Sequence, residues 1–169
     1  MTVVITLADL ARHDHATAVV TLLDAYARDP MGGGEGLSEF SRTHLVASLR
    51  QRAGVHVFIA FADDTAAGLA ICIEGFSTFA CRPLLNIHDF AVLASHRGQG
   101  IARGLMAAVE AHALRIGCCK ITLEVLEGNR PARELYAVAG FAAYELDPAM
   151  GKAMFLQKPL TYNQKRTGQ

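Results

Sequence analysis

Apolar residues along this chain alternate between two rhythms, that of a strand and that of a helix. The opening run "VVITL" at 3–7 is short and β-branched, which predicts a first strand. Val19, Leu22, Leu23 and Tyr26 then fall at i, i+3, i+4 and i+7, one apolar helix face that Pro30 brings to an end. A second helix is predicted with Ser38 as N-cap, or Ser41 as a competing start, running to about Arg52. Between the two helices, "DPMGGGEG" at 29–36 predicts a mobile loop.

From residue 55 the rhythm becomes that of strands: "VHVFIAFA", "DDTA" and "AGLAICIEGFSTF" predict a hairpin, with Gly75 marking a bulge. "NIHDFAVL" at 86–93 predicts a further strand. Ile101, Leu105, Ala108, Val109 and His112 give a third amphipathic helix to about Ile116, stopped by Gly117. "KITLEVL" at 120–126 predicts a strand, and "NRPARELYAVAG" a helix opening at Asn129, with Pro131 in its first turn and Gly140 as terminator. "FAAYEL" and "AMFLQK" predict a closing pair of strands around "DPAMG", and 161–169 a frayed tail. The order β, α, α, β, β, β, α, β, α, β, β is that of an α/β protein, a central mixed sheet flanked by about four helices. No repeat or low-complexity tract divides it, so 1–160 is predicted to be a single domain.

Composition narrows the partners. At 169 residues and 51% hydrophobic, the chain can bury a sizeable core. Sixteen basic residues balance sixteen acidic ones, so no overall field favours nucleic acid or an anionic membrane. "MTVVITLADL" lacks a basic n-region, and no apolar run is long enough to span a bilayer, so a cytoplasmic location is expected. Cys72, Cys81, Cys118 and Cys119 contain no C-x-x-C pair and read as reduced thiols. His13 and His15 have no matching cluster of cysteines or acids, so they read as solvated and no metal is expected.

The candidate chemistry lies in "SHRGQGIARGL" at 95–105, where glycines crowd the start of a helix. Glycine accepts positive φ and leaves backbone N–H groups open, and a helix N-terminus favours negative charge, so the loop reads as an anion cradle. It is no P-loop, because no Lys follows the glycines. It is a poor dinucleotide fingerprint, because Arg103 stands where the third glycine belongs.

Three linked elements resemble the GCN5-related N-acetyltransferases. In "AVLASHRGQGIA", Arg97-x-x-Gly100-x-Ala102 fits that family's Q/R-x-x-G-x-G/A signature; "LEVLEGN" ends in Asn129; "ARELYAVAGF" matches A-x-x-x-Y-x-x-x-G-F with Tyr136 as its tyrosine. The resemblance covers 86–141 and implies an acyl-CoA N-acyltransferase fold with acetyl-CoA as co-substrate. It implies a diphosphate on the backbone of Gly98, Gln99, Gly100, Ile101, Ala102 and Arg103, with charge from Arg97 and Arg103. The pantetheine arm would run beside Phe90, Ala91 and Val92, and Asn129 would touch the cofactor or simply cap its helix.

Acetyl transfer to an amine needs a base, a polarised carbonyl and an acid for the departing thiolate. Glu124, expected in mid-strand where partial burial would raise its pKa, is the first candidate base, with Asp89 and His88 as rivals. Tyr136 is the candidate acid by resemblance, and a main-chain N–H near Ala91 or Val92 can polarise the carbonyl. The glycine run "MGGGEG" at 31–36, between the first two helices, suits an acceptor lid, and Glu35, Glu39, Glu74 or Asp89 could receive a cationic amine. The acceptor, a small molecule or a peptide, stays open, as does homodimerisation. A non-catalytic acyl-CoA-binding module of the same fold is the alternative.

Overall fold

The computed structural model describes residues 1–160; the tail expected at 161–169 lies outside the described residues. The elements run β1 (Val3–Leu7), α1 (His13–Arg28), α2 (Glu39–Arg50), β2 (Val55–Ala62), β3 (Thr65–Ser77), β4 (Arg82–Val92), α3 (Ile101–Arg115), β5 (Ile121–Leu123) and α4 (Arg130–Val138). The five strands lie side by side in chain order. Those from β1 to β4 are antiparallel, and β5 joins β4 in parallel, which makes the sheet mixed as expected.

Local chemistry sets the boundaries. The Ser38 hydroxyl accepts the Ser41 N–H at 3.0 Å, so the earlier of the two possible caps starts α2 and the later serine is its partner. Asp63 and Asp64 adopt φ of 44° and 64°, the left-handed pair that turns β2 tightly into β3.

Helices cover both faces of the sheet, which is why "VHVFIAFA" is apolar throughout rather than alternating. On one face Val57, Ile59, Leu69 and Ile71 pack against Val19, Leu22 and Leu23 of α1. On the other, Phe58, Ala60, Ala70, Cys72, Leu85 and Ile87 pack against Ile101, Leu105 and Val109 of α3, with Tyr136 of α4.

Three expectations change. The bulge is not at Gly75, which stays in register opposite Leu84; a Cβ there would lie 3.1 Å from Leu84 Cδ1, so glycine makes room for that side chain. The extra residue is His88, because Ile71 faces Asp89 while Cys72 faces Ile87. Second, β5 ends at Leu123, and Glu124, Val125 and Leu126 leave the sheet exposed. Third, "FAAYEL" and "AMFLQK" form one antiparallel bridge, Glu145 to Lys152, rather than two strands. A three-residue β5 offers a further strand almost no ladder, and Leu146, Met154, Phe155 and Leu156 stay exposed.

The short β5 has a consequence for β4. Its pairing covers only Leu85 to Ile87, so from His88 to Val92 the outer edge of β4 has no strand partner among the described residues. The sheet therefore leaves an unpaired edge on the strand that leads into the glycine turn at 98–100.

Candidate active site

The predicted cradle assembles in one turn. Gly98 and Gly100 adopt φ of +75° and +82°, and a Cβ built on either would meet no atom within 4 Å. Positive φ explains why glycine stands there, and the open space above it is room for a ligand. Gly100 is the N-cap of α3 and supplies no side-chain cap. Gly104 N–H is bonded to Gly100 O at 3.1 Å, so the N–H groups of Ile101, Ala102 and Arg103 precede the first helical bond. A diphosphate fits this donor set, and the Arg103 side chain is exposed beside it.

Arg97 is not the free charge that the sequence suggested. Its Nε donates to Val92 O at 3.1 Å and its terminal nitrogen to Asp29 Oδ2 at 2.7 Å. Gln99 folds back to donate to Ser95 O at 3.3 Å.

Phe90, Ala91 and Val92 are half-buried along the unpaired edge of β4, where backbone groups can pair with an amide-bearing arm. Tyr136 sits beside them, its ring 6.1 Å from Phe90 and 5.9 Å from Phe141. It is buried, and burial, with a smaller contribution from Tyr26, pushes its hydroxyl up to about 12. Asn129 is the N-cap of α4, accepting the Ala132 N–H at 3.3 Å, so the capping role is the one seen.

The three candidate bases separate. Glu124 is exposed just past β5, and both its oxygens lie 3.3 Å from Asn86 Nδ2. His88 is the exposed bulge residue. Asp89 is half-buried, and burial raises its pKa, opposed by the charge of His88. The condition expected of Glu124 is thus met by Asp89. Tyr26, at the end of α1, lies near enough that Asp89 and Asp29 reinforce the upward push of burial on its hydroxyl.

The loop at 29–36 is held rather than loose. Asp29 Oδ1 accepts Met31 N–H at 2.9 Å, and Asp29 O accepts Gly32 and Gly34 N–H at 2.8 and 3.1 Å. Asp24 secures the far end by accepting Leu37 N–H at 2.8 Å. An Asp–Pro pair at a helix end signals this kind of turn, but nothing in the sequence signals Arg97, 68 residues away.

Glu74 does not join this site. Arg115 donates to His112 Nδ1 at 2.7 Å, His112 Nε2 reaches His56 Nδ1 at 2.9 Å, and His56 Nε2 reaches Glu74 Oε1 at 2.5 Å. Because Arg can only donate and carboxylate only accept, the hydrogen bonds are satisfied in one direction, each imidazole accepting at Nδ1 and donating from Nε2. Among the described residues no cluster of three His, Cys, Asp or Glu could hold a metal ion, and no helix is long and apolar enough to cross a membrane. All four cysteines are free.

Comparison with known proteins fits the geometry. A streptothricin acetyltransferase of Streptomyces lavendulae is 34% identical over 122 residues, 72% of this chain and 56% of that protein. The chain spans about half the length of the curated relatives it matches. The fold matches AAC(6')-Iy in complex with the bisubstrate analog CoA-S-monomethyl-acetylneamine, at TM-score 0.73 and 20% identity over 95% of this chain and all of that one. It also matches the aminoglycoside acetyltransferase meta-AAC0020 from an uncultured soil metagenomic sample in complex with sisomicin, at TM-score 0.75 and 16% identity over 94% and 97% of the two chains. The description "Acetyltransferase (GNAT) family" matches residues 19–141, and the chain belongs to that family.

Proposed function

We propose that the chain is an acetyl-CoA-dependent N-acetyltransferase acting on a primary amine by direct attack within a ternary complex. The observation that carries this reading is the uncapped, glycine-lined start of α3, placed at the end of a β4 edge that β5 leaves unpaired. One feature suits a diphosphate and the other an extended amide-bearing arm, and acetyl-CoA has both. When bound, it supplies a thioester acetyl group and departs as a thiolate.

The residues then divide the work. Backbone N–H groups from Gly98 to Arg103 hold the diphosphate, and a main-chain N–H near Ala91 or Val92 polarises the carbonyl. Asp89, half-buried with a raised pKa, is the base favoured by its surroundings, and Glu124 is the carboxylate at the open mouth that attracts a cationic amine. Tyr136 donates to the departing sulfur. The held loop at 29–36, tied to the cradle side through Asp29 and Arg97, is assigned to the acceptor, a small amine such as those named for the aminoglycoside and streptothricin acetyltransferases.

Free-thiol release from acetyl-CoA, followed with aminoglycosides, streptothricin, polyamines, amino acids and peptides, tests the proposal. Turnover with at least one amine is expected. Tight CoA binding with no turnover across the panel would instead favour a non-catalytic acyl-CoA-binding module.

A further inference from the structure

The ion pair between Asp29 and Arg97 joins the two halves of the site, and nothing in the roles assigned above requires it. Asp29 ends α1 and organises the glycine loop through bonds to Met31, Gly32 and Gly34. Arg97 opens the cradle and is anchored to the last residue of β4 through Val92 O. One guanidinium therefore spans from the β4 edge to the acceptor-side loop, with an Arg–carboxylate distance of 2.7 Å. The aspartate is the more sheltered partner, its side chain 21% exposed against 57% for the arginine. The Arg97 hydrogen bond holds the Asp29 carboxyl below its ordinary value, with Met31 N–H acting in the same direction.

We infer that Asp29 and Arg97 form a positioning strut through which cofactor occupancy sets the acceptor-side loop. This rests on the cradle reading given above. Arg97 uses Nε on Val92 and one terminal nitrogen on Asp29, and its other terminal nitrogen makes no hydrogen bond among the described residues, so the guanidinium keeps donors for an anion held at the neighbouring Gly98 to Arg103. A diphosphate at Gly98 to Arg103 brings a second negative charge near that guanidinium, since Arg97 directly precedes Gly98. Held between two anions, the guanidinium loses freedom, and the loop nucleated on Asp29 is held with it. Loading of the cradle thus stiffens the loop, and by linkage an ordered loop favours the loaded cradle. Asp29 touches no reacting atom in this scheme and acts only through Arg97.

Asp29→Asn isolates the strut, because the amide oxygen can still accept from Met31 and the main-chain bonds to Gly32 and Gly34 remain. Amide hydrogen exchange at Gly32 and Gly34, measured with and without saturating CoA, reads the coupling without an acceptor. In the wild type, exchange at both amides should slow by about threefold on CoA binding, the scale of a half-exposed ion pair. In Asp29→Asn it should be unchanged by CoA, and Asp29→Glu should recover part of the response. If Asp29→Asn proves unfolded by circular dichroism, Arg97→Lys replaces it, since an ammonium lacks the fork that serves Val92 and Asp29 together. Calorimetry on the same samples separates two failures. No CoA binding by the wild type removes the cradle reading and the strut with it. CoA binding with no slowing, or with equal slowing in Asp29→Asn, removes the strut alone.

Discussion

At the scale of single residues, the division between Asp89, Glu124 and Tyr136 makes opposite demands on pH. Burial raises the pKa of the Asp89 carboxyl, so with Asp89 as base the acidic limb of kcat/KM should follow its titration and lie above that of an ordinary carboxylate. Asp89→Asn is expected to lower kcat by about 10²-fold or more and to flatten that limb. Glu124→Gln should leave the limb in place and raise the amine's KM instead; a shifted limb in Glu124→Gln alone would return the base to Glu124. Tyr136 lies at the other extreme. Its hydroxyl, pushed up to about 12, keeps its proton throughout the assay range. Full transfer from a hydroxyl at about 12 to a thiolate, the conjugate base of a stronger acid, is uphill, so Tyr136 acts by donating a hydrogen bond to the charge building on sulfur. Tyr136→Phe should therefore lower kcat by about 10²-fold, leave CoA affinity within a factor of about two, and remove no alkaline limb. Steady-state kinetics over pH with calorimetry of CoA binding check all three variants.

At the scale of elements, the cradle is a property of a helix start, and its test must respect the backbone. Gly100→Glu is a confounded probe, because φ of +82° strains any side chain regardless of the ligand. Ala102 lies in the first turn of α3 and is half-buried with helical geometry, so Ala102→Glu places a carboxylate at the diphosphate without that strain. CoA affinity should fall by about tenfold or more while Tm moves little, since an acid in a first turn suits the helix dipole. Equal CoA affinity by calorimetry would move the diphosphate elsewhere. The helices and the α3 start were legible in the sequence because their signals are local: apolar spacing, Ser38, Pro131 and the glycines at 98 and 100. The unpaired edge of β4 was not, because it depends on where β5 stops, and "KITLEVL" alternates smoothly past Leu123. The bulge at His88 depends on register against β3, which no run of residues within β4 specifies. Asp89 was legible only as one of several acids, since what distinguishes it from the exposed Glu124 is burial, which the folded packing around β4 supplies.

At the scale of the whole molecule, the chain of Arg115, His112, His56 and Glu74 ties α3 to two central strands on the face away from α1, and it makes stability depend on pH. His112 is buried, and burial, then His56, then Arg115 lower its pKa, opposed by the charge of Glu74. The groups that face the chain are those four residues and Cys118, whose thiol is raised by burial and by Glu74. The sign follows from linkage. In the unfolded chain His112 takes up a proton near its ordinary 6.5, whereas in the folded protein it resists doing so until a lower pH. Between those two values the unfolded state binds more protons, so the stability present above 6.5 falls as pH drops through that window. A proton on His112 would put Nδ1–H against a guanidinium that can only donate, which reverses the one-way chain. Tm measured from pH 8 to pH 5 should thus fall more steeply in the wild type than in His112→Gln, which keeps an amide donor and acceptor but cannot titrate. His112→Gln is expected to be less stable than the wild type at pH 8 and to close much of that gap at pH 5. Parallel Tm curves for the two proteins would mean that His112 binds the same number of protons in both states; the carboxylates paired with Arg12, Arg28 and Arg97, lowered from 3.8, lose their stabilisation only at lower pH and leave the comparison between pH 8 and pH 5 undisturbed.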